Sequence, residues 1–286
     1  MKKILLWFRI IRPQTLFASL VPVLVGLLVV HRSGIPAAVH HPGLVAWLTA
    51  ICALSLQILS NLINDYYDFK RGTDKAGRAG FKRALAEGEV SERQMLFACC
   101  TALAVAVCCG LYLVLAGGWV ILLIGITAIL FAWLYTATSH SLSYLGIADI
   151  FVFLYYGVVA SAGTAFLQTH QFVLSAFYAG AVCGLISMCV LMINNLRDID
   201  SDREAGKRTL PVRFGKKAGE AIMFVEVMLM PVFAWLAFGF SPAVVIVLTG
   251  LLLFVAVCKA VGPRYNLCLL CTGLMNVLYF ILCLFS

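Results

Sequence analysis

Nine apolar runs of helix length follow one another along the chain, separated by short polar punctuation. Their approximate limits are 14–31, 43–64, 94–115, 118–136, 144–168, 171–195, 217–239, 241–261 and 265–285. Each is near the ~20 residues that carry an α-helix across a bilayer. Membrane-barrel strands would alternate apolar and polar positions in segments of about ten residues, and no such alternation is present. Turns are predicted at Gly117-Gly118, Ser241-Pro242 and Gly262-Pro263. The pattern predicts an all-α integral membrane protein: nine transmembrane helices in one bundle, forming a single domain over 1–286, with polar loops at about 65–93 and 195–216.

Composition agrees, with 63% hydrophobic residues, 12% charged residues and a mean hydropathy of +1.00. Soluble domains are roughly half apolar and a quarter charged. The net charge of +8 does not point to nucleic acid, because the bases flank apolar runs. If the N-terminus is cytoplasmic, 20 of the 21 Lys and Arg fall on that side, and only Arg32 falls outside. That asymmetry predicts a cytoplasmic N-terminus, an odd number of crossings and a site facing the cytoplasm. All eleven Cys lie inside apolar runs and read as small packing residues, the Cys268/Cys271 pair included. Arg9, Arg12 and Pro13 interrupt the first apolar stretch, so it reads as the entry to a helix rather than a signal peptide.

Ten of the thirteen acids crowd into two stretches. The first holds Asp65, Asp68, Asp74, Glu87, Glu89 and Glu92, and the second Asp198, Asp200, Asp202 and Glu204. Ionisable groups near lipid are costly and mark functional sites. The stretches echo each other: Asn61, Asp65 and Asp68 close span two, while Asn194, Asp198 and Asp202 close span six. Gly72 with Lys82-Arg83 follows the first, and Gly206 with Lys207-Arg208 the second. Both spans run inward, which suggests a parallel four-helix pseudo-repeat plus a ninth helix.

On a helix, Asp65 and Asp68 share one face, and so do Asp198 and Asp202. Asp200, Glu87, Glu89, Glu92 and Glu204 read as ordinary loop charges. Two facing sets of carboxylates repel unless a cation lies between them. Oxygen-only ligands select a hard cation, and Mg²⁺ is usual where a phosphate completes the shell. The interleaved Arg71, Arg78, Lys82, Arg83, Lys207 and Arg208 suit a metal-bound diphosphate. A charged head handled at the end of a helical bundle fits a prenyl diphosphate, whose departing diphosphate leaves an allylic cation. Such a cation needs a dry pocket with electron-rich walls. Tyr66, Tyr67, Phe69, Tyr135, Tyr144, Phe151, Phe153, Tyr155 and Tyr156 are candidates for those walls. Asp149 is the lone acid near the start of span five, in an otherwise apolar stretch, and reads as a functional group rather than a helix-end residue reached by water. His140 alone among the five His falls on the site side, and nothing marks it as a base.

The segments NLINDYYDFKRGTD (61–74) and NNLRDIDSDREAGKRTLPVRFG (194–215) resemble the two motifs of the UbiA-type intramembrane aromatic prenyltransferases. IRPQTLFASLVPVLVG (11–26), FKRALAEGEVS (81–91), YLGIADIFVFLYYGVVASAGTAFLQT (144–169) and YNLCLLCTGLMNVLYFIL (265–282) are similar to the branch that prenylates 1,4-dihydroxy-2-naphthoate in menaquinone synthesis. The resemblance implies a multi-pass enzyme of the bacterial cytoplasmic membrane. It implies Mg²⁺-dependent transfer of a polyprenyl group from polyprenyl diphosphate to an aromatic acid, with decarboxylation, giving demethylmenaquinone. Asn64, Asp65 and Asp68 would form the first metal–diphosphate cluster, and Asp198 and Asp202 the second, with Asn195 beside them. Arg71, Lys82, Arg83, Lys207 and Arg208 would contact diphosphate; Asp149, Tyr135, Tyr144 and Asn195 would face acceptor or cation. The branch often carries Glu where this chain has Asp149, a shorter reach. Two other readings compete: a sibling prenyltransferase acting on 4-hydroxybenzoate, homogentisate, haem or chlorophyllide, and an ion-coupled transporter. The Gly-rich Asp motif of CDP-alcohol phosphotransferases is absent. Spacing carries no information on prenyl chain length or oligomeric state.

Overall fold

The computed structural model of the protein describes residues 2–72, 83–135, 142 and 146–286. Twelve helices are described: α1 Lys2–Ile10, α2 Pro13–Ser33, α3 Pro42–Lys70, α4 Glu92–Gly117, α5 Trp119–Leu134, α6 Ala148–Thr169, α7 Leu174–Arg197, α8 Ile199–Glu204, α9 Leu210–Phe214, α10 Lys216–Phe238, α11 Phe240–Cys258 and α12 Arg264–Phe285. Eight of them are long and apolar enough to cross a membrane. The run expected at 118–136 is the shorter apolar helix α5, of 16 residues. No strand occurs among the described residues.

Helix α7 forms the middle of the bundle. Ala179, Val182, Cys183, Ile186, Cys189, Met192 and Ile193 are fully enclosed, packed by α2, α6, α10 and α12. Small residues permit that enclosure. A Cβ on Gly157 would stand 2.5 Å from the Gly180 carbonyl and from Gly184 Cα, so α6 and α7 touch backbone to backbone. Gly157 lies in a π-helical turn, Leu154–Val158, inside α6. Such a turn inserts a residue into the helix and is frequent at functional sites. All eleven cysteines are free, and those in α7 pack as small apolar groups.

Helix α3 has 29 residues, so it is about 43 Å long at 1.5 Å per residue, against a hydrocarbon layer of about 30 Å. Its final turns, which carry Asn61 to Asp68, therefore project past an apolar slab. Helix α4 then restarts from a capping box: Gln94 N–H donates to Ser91 Oγ (3.3 Å), and Ser91 N–H donates to Gln94 Oε1 (2.8 Å). Gly118, at φ +72°, makes the α4–α5 turn expected at Gly117-Gly118. The turn expected at Ser241-Pro242 lies instead at Gly239, whose φ of +88° suits glycine. Both Ser241 and Pro242 fall in the first turn of α11, where a missing N–H is harmless.

Candidate active site

The basic segments meet at one end of the bundle. Arg12 joins α1 to α2 in a left-handed conformation, φ 55° and ψ 70°, which is uncommon for a residue with a Cβ. Thr15 Oγ1 donates to the Arg12 carbonyl at 2.9 Å. Asn61 Nδ2 donates to Thr15 Oγ1 (2.9 Å) and to the Ile11 carbonyl (3.2 Å), tying this corner to α3. The guanidinium of Arg12 is thereby directed onto buried Asp65, which also pairs with Arg83.

At the end of α7, Arg197 grips Asp198 with two bonds, Nε to Oδ1 at 2.8 Å and Nη2 to Oδ2 at 2.7 Å. Its Nη1 donates to Asn266 of α12 at 2.9 Å. Asp202 follows one turn later in α8. Lys207 Nζ then spans the two halves, 3.5 Å from Asp202 Oδ1 and 3.9 Å from Asp68 Oδ2. Gly146 brings the chain ahead of α6 against this loop; a Cβ there would stand 2.3 Å from the Arg208 carbonyl.

These residues bound a cavity of about 720 Å³. Asn64, Asp68, Arg83, Asp198, Asp202, Lys207, Asn195, Asp149 and Tyr135 line it. Asp65 is not among the lining residues; it stands behind Arg12 and Arg83, which are. Arg71 caps α3 over the Tyr67 ring, 6.0 Å from its centroid, and Arg208 has an exposed side chain; neither lines the cavity. Lys82 and Tyr144 lie outside the described residues. Arg12, Arg197, Asn266 and Asn276 line it too, although the sequence offered the two arginines only as topology markers and the two asparagines only within a similar segment.

A second, apolar cavity of about 300 Å³ adjoins the first. Gln57, Ser60, Tyr135, Val152 and Tyr156 line both. Phe131, Phe151 and Tyr155 add rings to its wall, with ring centroids 4.4 Å apart for Phe131–Phe151 and 4.9 Å for Phe131–Tyr155. Farther along, lipid-facing Leu111, Leu122 and Ile126 of α4 and α5 border it. Tyr66, Tyr67 and Phe69 pack instead around Leu62, and Phe153 packs against the α7 core.

Among the described residues, no three acidic, His or Cys side chains are gathered closely enough to form a metal cage by themselves. The donor chemistry nevertheless fits Mg²⁺, which uses one or two carboxylates and completes its shell with water and phosphate oxygens. Asp68 and Asp202, on opposite halves of one cavity and both drawn to Lys207, are placed for such sharing.

Residues 19–283 match the UbiA prenyltransferase family. The 1,4-dihydroxy-2-naphthoate octaprenyltransferase of Escherichia coli (strain K12) is 37% identical over 219 residues, 73% of this chain and 68% of that protein. The enzyme of the same name from Mycobacterium leprae (strain TN) is 34% identical over 244 residues, 82% of this chain and 80% of that one. A UbiA homologue from Archaeoglobus fulgidus, solved with GPP and Mg²⁺, superposes with a TM-score of 0.70 at 18% identity, covering 97% of this chain and 98% of that one.

Proposed function

The chain belongs to the UbiA prenyltransferase family, and from that membership we propose that it transfers a polyprenyl group from polyprenyl diphosphate to 1,4-dihydroxy-2-naphthoate, with loss of carbon dioxide. It is a multi-pass membrane prenyltransferase, like the curated relatives it matches. One observation carries the reading: the carboxylates of Asp68 and Asp202 converge on Lys207 in a polar cavity that opens into an apolar one. A substrate with an anionic head and a hydrocarbon tail fits that pair of cavities.

The chain's own groups then have distinct tasks. Arg12, Arg83, Arg197 and Lys207 are the cations on the polar wall that face the diphosphate and favour its departure. Mg²⁺, held between the Asp68 and Asp202 sides with Asn64 and Asp198 beside them, would neutralise the leaving oxygens. The C–O bond breaks where the cavities join, so Tyr135 and Tyr156, which line both, are the electron-rich rings nearest the allylic cation while the apolar lining keeps water away. The electron-rich ring of the acceptor attacks the prenyl carbon. Carbon dioxide leaves with the ring carboxylate, its bonding pair returns to the ring, and no net proton is removed. The product is the quinol form of demethylmenaquinone.

In the same reading, α5 completes nine crossings, the two four-helix halves repeat in parallel, and the site end faces the cytoplasm of a bacterial inner membrane. The Lys and Arg asymmetry supports that orientation. Purified enzyme, given Mg²⁺, prenyl donors of several lengths and a panel of hydroxylated aromatic acids, tests the whole reading by product mass. A prenylated naphthalenediol lacking the carboxylate is expected. Prenylation of 4-hydroxybenzoate or homogentisate in its place would overturn it.

A further inference from the structure

On the lining of the polar cavity, Gln57 Oε1, Asp149 Oδ1 and Asn276 Oδ1, like the Thr209 hydroxyl nearer the basic loop, are buried with no hydrogen-bond partner among the described residues. The first three come from three separate helices, α3, α6 and α12. Gln57 uses its amide nitrogen on Thr15 and Asn61, at 3.3 and 3.4 Å, which leaves the oxygen for something else. Asn276 is only 1% exposed, one turn beyond Gly273 in an otherwise apolar stretch of α12. Buried polar groups are almost always satisfied, so three unsatisfied acceptors around one cavity require an explanation.

The ligand chemistry narrows it. An ionised diphosphate only accepts hydrogen bonds, and a hydrocarbon tail neither donates nor accepts. Hard cations belong with the acids and diphosphate at the other wall. Hydroxyl groups donate, and an aromatic acceptor carrying two of them across its ring presents donors at opposite edges and apolar faces between. Val152 and Leu270 supply apolar surface to the same cavity. Resting on the reading above, we infer that Asn276, Asp149 and Gln57 form the subsite that binds the hydroxyl groups of the aromatic co-substrate, with Asn276 the residue that orients the ring. The class of ligand is a phenol with free hydroxyls, and methyl ethers are excluded by loss of the donor.

Asn276→Leu, of nearly equal volume, tests this. In steady-state assays the KM for the aromatic acceptor should rise roughly tenfold or more, a lost hydrogen bond at a buried site. The KM for prenyl diphosphate should stay within about twofold. Mono-O-methylation of the acceptor should weaken wild type strongly and the variant far less, because the partner is already gone. An unchanged acceptor KM, or a methyl-ether penalty as large in the variant as in wild type, would overturn the subsite. So would a rise in both KM values together, which is the mark of general damage. If wild type converts a phenol other than the naphthoate, the reaction proposed above fails, and the same comparison made with that phenol decides the subsite independently.

Discussion

At the end of α3, Asp65 is held by guanidinium groups from distant parts of the chain, Arg12 at 53 residues and Arg83 at 18. At the end of α7, Asp198 takes its partner from the adjacent position, Arg197, which α12 steadies through Asn266. The Asn–Asp spacing is similar in the two turns, yet one is neutralised by tertiary structure and the other by its neighbour. A repeated motif can therefore serve one cavity while depending on folding in two different ways. The α3 half gains its second guanidinium group only when the α1–α2 corner docks, and the α7 half carries an arginine at the adjacent position.

Removing the two buried acids separates them most sharply. Asp65→Ala leaves two guanidinium groups facing each other in a polar pocket and should destabilise the protein by about 3–5 kcal/mol. Asp198→Ala leaves Arg197 still bonded to Asn266 and should cost about 1–3 kcal/mol. Thermal unfolding of both variants in one detergent measures the gap, and equal losses would erase the contrast. Next, Asp68→Asn and Asp202→Asn should each lower kcat by about a hundred- to thousandfold with little loss of stability. Lys207 belongs to both halves, so Lys207→Met should raise the KM for prenyl diphosphate by about tenfold. The smallest effect is expected from Arg9 and Glu89, an exposed pair at the same end of the bundle. Replacing either with Ala should change stability by under about 0.5 kcal/mol and leave turnover unaltered.

The helices and the two acidic turns were legible because their signals are local. Apolar length marks a crossing, and i, i+3 or i, i+4 spacing marks a shared face. Asp149 stood out as a lone acid in an apolar run and does line the cavity. Arg12 did not stand out, because its partner lies 53 residues on and a basic residue before a first span has an ordinary topological explanation. Asn276 is one amide in an oily stretch of α12, and only the assembled cavity shows that its Oδ1 has no donor among the described residues. Arg71 and Arg208 show the opposite case. Neither lines the cavity: Arg71 caps α3 beside the Tyr67 ring, and the side chain of Arg208 is exposed on its loop. Direction is set by the backbone at the end of a helix, which charge patterning does not encode.

Five residues, Gln57, Ser60, Tyr135, Val152 and Tyr156, belong to both cavities at once. On the proposed reaction, the bond that breaks is therefore also a line of sorting. Its two fragments differ as much in solubility as two molecules can, and each is born already on its own side. Diphosphate begins among cations at the polar end, and the prenyl tail of the new lipid begins beside the flanks of α4 and α5 that face the bilayer. Neither product has to pass the other, and traffic through the enzyme runs in one direction for each.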